Sequence, residues 1–222
     1  MVDLTDVRGL FEPVYGERDV VDLAKMRELG LPFWLAGGRG TAEGLRDALA
    51  CGAAGIQVGT AFVYCAESGL DAATKERVLR LAASGGARVF TDPVASPTGF
   101  PFKVVQLEGT LSSEAEYLAR TRICDLGYLR EPYRKADGST GYRCASEPVA
   151  HYVAKGGGEG NAQGRKCLCN ALMADIGLPQ TRSGGLAEKT LVTSGDDVAR
   201  FLAPGAASYG AADVLARLLE AS

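Results

Sequence analysis

The chain has 222 residues, of which 46% are hydrophobic and 23% charged, a composition that indicates a folded globular protein and excludes wholesale disorder. Its 24 Lys and Arg against 27 Asp and Glu give a net charge of -3, which argues against a nucleic-acid-binding protein. No apolar run approaches the ~18 residues of a membrane span, and the acidic N-terminus is unlike a signal peptide. We therefore expect a cytoplasmic protein whose six cysteines are thiols or ligands rather than a disulfide framework.

The first predicted elements include one βαβ unit, preceded by a short helix over residues 20–29. Apolar runs at residues 33–36 and 54–58 are typical of strands buried on both faces of a parallel sheet. Between them the spacing predicts a helix over residues 41–51, with Thr41 as its N-cap. Strand, helix and strand in this order form a βαβ unit. The inward face of the helix is predicted to consist of Leu45, Ala48 and Leu49.

Shorter elements are predicted along the rest of the chain. A helix over residues 71–83 has Val78, Leu79 and Ala82 on one side. The other predictions are extended segments at residues 87–91 and 102–107, and helices at residues 114–120, 169–175 and 211–221. Beyond the second extended segment the chain becomes rich in turn signals and cysteines. We therefore predict an α/β domain over residues 1–107 and a loop-rich extension or lid over residues 108–222.

Each apolar run of the βαβ unit ends in small residues that suit a phosphate. The first run leads into Ala36, Gly37 and Gly38, and the second into Gln57, Val58, Gly59 and Thr60. Ligands of parallel α/β folds bind outside the carboxyl ends of strands, and glycine lets a phosphate approach backbone N–H groups. Gln57, expected to be a buried amide, would need a polar partner such as a cofactor. Either turn alone could consist of ordinary turn glycines, but the pair favours a phosphate site.

A dinucleotide-binding fold is the first alternative. Glycines at positions 38, 40 and 44 loosely match the glycine fingerprint of that fold. The fingerprint also requires an acidic residue ~20 positions later, at the end of the next strand. That strand ends in Gly59 and Thr60 instead, so this alternative is disfavoured.

The two turns lie within segments that resemble a known family. Residues 32–38 and 55–62 resemble the last two strand–loop units of the nitronate monooxygenase family. The resemblance continues through shorter segments at residues 90–93, 96–103, 124–130 and 167–170. It implies the C-terminal half of an FMN-binding TIM barrel, that is, a partial barrel followed by a loop-rich, cysteine-containing extension. The site residues that it implies for the FMN phosphate are Ala36, Gly37, Gly38, Gln57, Val58, Gly59 and Thr60.

The family resemblance also implies an activity, the oxidation of alkyl nitronates with O2 to a carbonyl compound and nitrite. A barrel needs eight strand–helix units, whereas this sequence offers two clear ones. The half of the family that carries a histidine base has no counterpart, and His151 is expected to be structural, so the catalytic residue is unknown. We expect weak FMN binding and little turnover from this chain alone, with a second chain supplying the rest of the barrel. The alternatives are an FMN-dependent enoyl reductase of fatty-acid or polyketide synthesis and an inactive remnant.

The cysteines allow a further alternative. Four of them, Cys124, Cys144, Cys167 and Cys169, lie in the predicted extension, and four thiols can bind zinc tetrahedrally. Their spacing lacks the paired C-x-x-C motifs of a zinc ribbon, so we predict thiols without a metal. Cys51 and Cys65 are expected to be small core residues.

Overall fold

A computed structural model describes residues 16–17, 20–203 and 205–220. The chain forms two compact units. We call residues 16–88 with 194–220 the terminal unit, and residues 89–193 the middle unit. The predicted boundary after residue 107, between family domain and extension, is a different division and stays a prediction. The first fifteen residues of the predicted α/β domain, and residue 221 of the last predicted helix, lie outside the described residues.

The elements of the terminal unit are helix α1 (Leu23–Glu28), strand β1 (Trp34–Leu35), helix α2 (Ala42–Ala50), strand β2 (Gly55–Ile56), helix α3 (Thr60–Val63), helix α4 (Ala72–Ala83), a 3-10 helix (Val198–Phe201) and helix α9 (Ala211–Leu219). Those of the middle unit are strands β3 (Val89–Asp92) and β4 (Phe102–Val105), helix α5 (Glu114–Ala119), strands β5 (Glu131–Arg134) and β6 (Thr140–Arg143), and helices α6 (Val149–Ala154), α7 (Glu159–Ala162) and α8 (Leu168–Asp175). The fold class is therefore mixed α/β, as predicted. The described residues contain no closed barrel.

The predicted βαβ unit is present in the terminal unit. Strands β1 and β2 pair in parallel, and α2 connects them. Thr41 caps α2 as predicted, because its hydroxyl oxygen accepts a hydrogen bond of 2.9 Å from the amide of Gly44. Asp71 caps α4 in the same way, and the predicted inner face of that helix is buried.

Two burial predictions for this unit are wrong. The β1–β2 pair is not buried on both faces, because Trp34 is 57% exposed whereas its neighbour Phe33, which points to the opposite face, is buried. Packing from α2 covers one face through Ala48, whereas Leu49, which was predicted to face inward, is 51% exposed. The apolar runs therefore form a half-buried sheet within the described residues.

The last part of the chain returns to the βαβ unit. The Tyr209 hydroxyl donates a hydrogen bond of 2.7 Å to the carbonyl of Ala61, and the Tyr209 carbonyl accepts one of 2.9 Å from the amide of Ala66. Helix α9 packs against both α2 and α3. Residues 194–220 thus fold with the strand–helix elements near the start of the chain.

The middle unit is built from two antiparallel strand pairs and short helices. Strand β3 pairs with β4, and β5 pairs with β6 in a hairpin. Its main core cluster consists of Val104, Leu111, Tyr117, Leu168, Ala171 and Leu191. A nearly buried ion pair joins the Arg120 guanidinium to the Glu188 carboxylate through hydrogen bonds of 2.6 and 2.8 Å. None of the helices in the described ranges is both long and apolar enough to span a bilayer.

Asp175 gives the middle unit a pH-dependent stability. This last residue of α8 is 5% exposed, and its Oδ1 atom has no hydrogen-bond partner among the described residues. Burial raises the pKa of its carboxyl group to about 7, although a hydrogen bond from the backbone of Leu191 opposes the shift. The native state therefore binds more protons than the unfolded chain between about pH 4 and pH 7.

We predict that the Asp175 carboxyl group does not lower the free energy of unfolding below about pH 4, where it is protonated in both states. As the pH rises from there through 7, Asp175 should lower the free energy of unfolding by up to about 4 kcal/mol. Urea unfolding of the wild type and of Asp175→Asn at several pH values measures this cost. The free energy of unfolding of the variant should increase relative to the wild type as the pH rises. The control is Asp47→Asn, which changes an exposed aspartate of α2 and should show a constant difference. A constant difference for Asp175→Asn as well would contradict the prediction.

Candidate phosphate-binding site

The two glycine-containing turns leave the same edge of the sheet. Leu35 pairs with Ile56, and the amide of Gln57 donates a hydrogen bond of 2.9 Å to the carbonyl of Leu35. Because β1 and β2 are parallel, their carboxyl ends meet at one edge, and both turns begin there. The structure thus brings the two predicted segments, residues 36–38 and 57–60, next to each other.

The first turn depends on glycine. Gly37 has a φ of 80° and Gly38 a φ of 67°, a left-handed conformation that residues with a side chain rarely adopt. A Cβ placed on either glycine would meet no described atom within 4 Å. The space above this turn is therefore open, and the backbone can be approached closely from that side.

The second turn is also open, but its backbone conformation does not require glycine. Gly59 precedes α3 with a φ of -101°, which any residue can adopt, and a Cβ there would also meet no described atom within 4 Å. Among the described residues, the amide N–H groups of Gly37, Gly38 and Gly59 have no acceptor. Three donors without a partner at one sheet edge, with open space above them, match the requirements of a bound phosphate oxygen.

Residues next to the two turns, and others distant in the sequence, pack against them or form hydrogen bonds with them. A Cβ on Gly40 would lie 2.9 Å from the Phe201 ring and 3.3 Å from a methyl group of Val58, so the three residues pack closely. The Thr60 hydroxyl oxygen accepts a hydrogen bond of 2.9 Å from the amide of Gly195, which leaves its hydroxyl proton to donate elsewhere. Neither Phe201 nor Gly195 was predicted from the sequence, since no local motif marks them.

Several predicted residues have a different environment from the one expected. Gln57 is exposed, so the interpretation of it as a buried amide in need of a partner is wrong. Its position directly after β2, on the half-buried sheet, explains the exposure. Ala36 is exposed as well, whereas Val58 is half-buried against Gly40.

The remaining candidate residues are His151 and the four cysteines of the predicted extension. His151 is exposed on α6. Among the residues that the structure describes, no three His, Cys, Asp or Glu side chains are placed to hold a metal ion.

Comparisons with known proteins agree on one family. Residues 5–94 match the nitronate monooxygenase family. The chain is 40% identical over 98 residues to a nitronate monooxygenase of Pseudomonas aeruginosa, a match covering 42% of this chain and 28% of the relative. It is 37% identical over 76 residues to a probable nitronate monooxygenase of Bacillus subtilis, covering 32% of this chain and 22% of the relative. The chain thus spans less than a third of these curated relatives.

No solved structure matches the chain significantly. The family match nevertheless includes both glycine turns, whose geometry is described above. Residues 5–94 are therefore similar to a segment of the nitronate monooxygenase family, as the sequence resemblance predicted.

Proposed function

We propose that the two glycine turns bind the phosphate of FMN, in a flavin-dependent oxidoreductase that converts alkyl nitronates and O2 to a carbonyl compound and nitrite. The observation that carries the proposal is the group of unpartnered amides of Gly37, Gly38 and Gly59 at one sheet edge, inside the family segment. The chemistry that FMN supplies when bound is the transfer of electrons from the nitronate to O2.

The chain's own residues fit a phosphate group. Backbone N–H groups without an acceptor can bind an anion, and each hydrogen bond to a charged oxygen contributes about 1.5–3 kcal/mol. The Thr60 hydroxyl can add a further donor beside Gly59. Gly40 packs closely against both Phe201 and Val58, which helps to keep the turns in place. The role of these residues is to bind and orient the cofactor.

The flavin ring and the nitronate need contacts that the phosphate turns do not provide. We propose that a second chain supplies them and completes the partial TIM barrel of which β1 and β2 are strands. The exposed face of this sheet supports the proposal, because Trp34 projects from it with 57% of its surface exposed. In a closed barrel both sheet faces are covered.

The sharpest test of the phosphate site uses Gly59→Ala. A Cβ at this position causes no backbone strain and meets no described atom, so the fold should be retained while the methyl group occupies the space proposed for the phosphate. We predict that FMN binds weakly to the full chain, that riboflavin, which lacks the phosphate, binds less well, and that Gly59→Ala weakens FMN binding about tenfold. Flavin-fluorescence titration measures all three.

The matched control is Gly69→Ala. This glycine also has open space at its Cβ position and no left-handed φ, but it lies outside both turns. Its variant should bind FMN as the wild type does. Equal binding of FMN and riboflavin, or an unchanged affinity of Gly59→Ala, would contradict the phosphate assignment. Tight stoichiometric FMN binding would instead contradict the proposal that a second chain completes the site.

A second assay separates the possible activities. With saturating FMN and an alkyl nitronate, we expect slow release of nitrite and no consumption of NADH. Reduction of the flavin by NADH would favour the enoyl reductase and overturn the proposed reaction. Absence of turnover in both assays would mean that the chain is inactive without the proposed second chain, or is a remnant.

A further inference from the structure

The middle unit contains an apolar cavity of about 390 Å³. This volume lies within the range of about 300–1,000 Å³ that is usual for small-molecule sites. Segments far apart in the sequence line the cavity, among them the loop after β3, the first residue of β4, the segment before β5, and α8. All of them belong to the middle unit, so the inference that follows does not rest on FMN binding by the glycine turns.

The inner wall of the cavity is continuous with the protein core. Leu168 of α8 is 4% exposed and belongs to the main core cluster of the middle unit. Phe102, Leu129 and Leu172 pack against the same cluster, and all four side chains line the cavity. Leu168 and Leu172 are four residues apart and therefore share one face of α8. Core packing thus fixes the positions of these side chains, as expected for a preformed site.

The loop after β3 forms another part of the wall and is held in place by hydrogen bonds. Ser96 is 4% exposed, and its hydroxyl oxygen lies 2.7 Å from that of Thr98. The Arg165 guanidinium donates a hydrogen bond of 2.6 Å to the carbonyl of Ser96, and the amide of Lys166 donates one of 2.8 Å to the carbonyl of Ala95. The loop is therefore tied to the segment that leads into α8. Because the two hydroxyls bond to each other, a ligand need not bond to them.

The side chains around the cavity exclude a charged ligand. Among the described residues, those that line it include no Asp, Glu, Lys, Arg or His. An ionised group placed there would lose its hydration without gaining a partner of opposite charge, which is costly. The ligand is therefore uncharged. It differs in this respect from the nitronate of the proposed reaction, which is an anion.

The same side chains favour an aromatic ligand. The rings of Phe102 and Tyr128 line the cavity, and Tyr128 is 70% exposed at its rim, where it can cover a bound molecule. Cys169 and Met173 of α8 contribute sulfur atoms, which make favourable contacts with aromatic rings. We propose that this cavity is a binding site for a small, uncharged aromatic molecule.

The test measures protection of Cys169 in the full wild-type chain, with 2-naphthol as the probe. Cys169 lines the cavity and is partly exposed, so a bound molecule should block its alkylation by iodoacetamide. At a concentration of 2-naphthol ten times its Kd, we expect alkylation to slow about tenfold. Cys51, which is also partly exposed but lies in the terminal unit, is the internal control and should react at an unchanged rate. Peptide mapping by mass spectrometry reports both rates.

Two analogues of the probe test the chemical class at neutral pH. We expect 2-naphthoate, which has the same rings and a negative charge, to give little protection. Decahydro-2-naphthol, which has the same skeleton without aromatic rings, should protect several-fold less well than 2-naphthol. Equal protection by either analogue would overturn the assigned ligand class. Absence of protection by 2-naphthol would overturn the site, as would protection caused by a higher protein concentration alone, which would indicate a second copy of the chain.

A pair of tyrosine variants locates the site independently. Tyr128→Ala removes an exposed ring at the rim of the cavity, so the fold should be retained while 2-naphthol binds about threefold to tenfold more weakly. The matched control is Tyr142→Ala on β6, where the tyrosine is 59% exposed and does not line the cavity. This variant should bind as the wild type does. Equal affinities of the two variants would contradict the proposed position of the ligand.

Discussion

The arrangement of the candidate site depends on the parallel pairing of two very short strands. Two hydrogen bonds flank the paired residues, from the amide of Ala54 to the carbonyl of Phe33 at 2.8 Å and from Gln57 to Leu35 at 2.9 Å. This pairing fixes the direction in which the turn after each strand leaves the sheet. If the strands were antiparallel, their carboxyl ends would lie at opposite edges and the two glycine turns could not serve one phosphate.

So small a sheet needs support from elsewhere in the chain. A two-stranded sheet is marginal by itself in water. Here α2 covers one face, and the segment after residue 194 packs close to the turns through Phe201 and anchors α3 through Tyr209. The site is therefore built by residues that are far apart in the sequence. The same distance explains why a match that stops at residue 94 includes the turns but not their support.

Local features were predicted well from the sequence. Caps are local, since the hydroxyl of Thr41 accepts a hydrogen bond from the amide three residues ahead, and α2 starts where this predicted cap indicates. Burial is not local. Trp34 and Gln57 were predicted to be buried because they lie in apolar runs, yet the exposure of each depends on what covers the second face of the sheet.

Contacts between distant segments could not be predicted from local patterns. The glycine turns were recognised, but nothing near Phe201 indicates that its ring packs on Gly40.

The central claim is that the two turns form one anion site, and amide NMR tests it most directly. In a proton–nitrogen correlation spectrum of the full chain, the resonances of Gly37, Gly38 and Gly59 should shift together as FMN is added, and riboflavin should leave them in place. Inorganic phosphate should move the same three signals. If they stay unchanged while other amides respond, or respond to riboflavin and FMN alike, the two turns do not bind the phosphate.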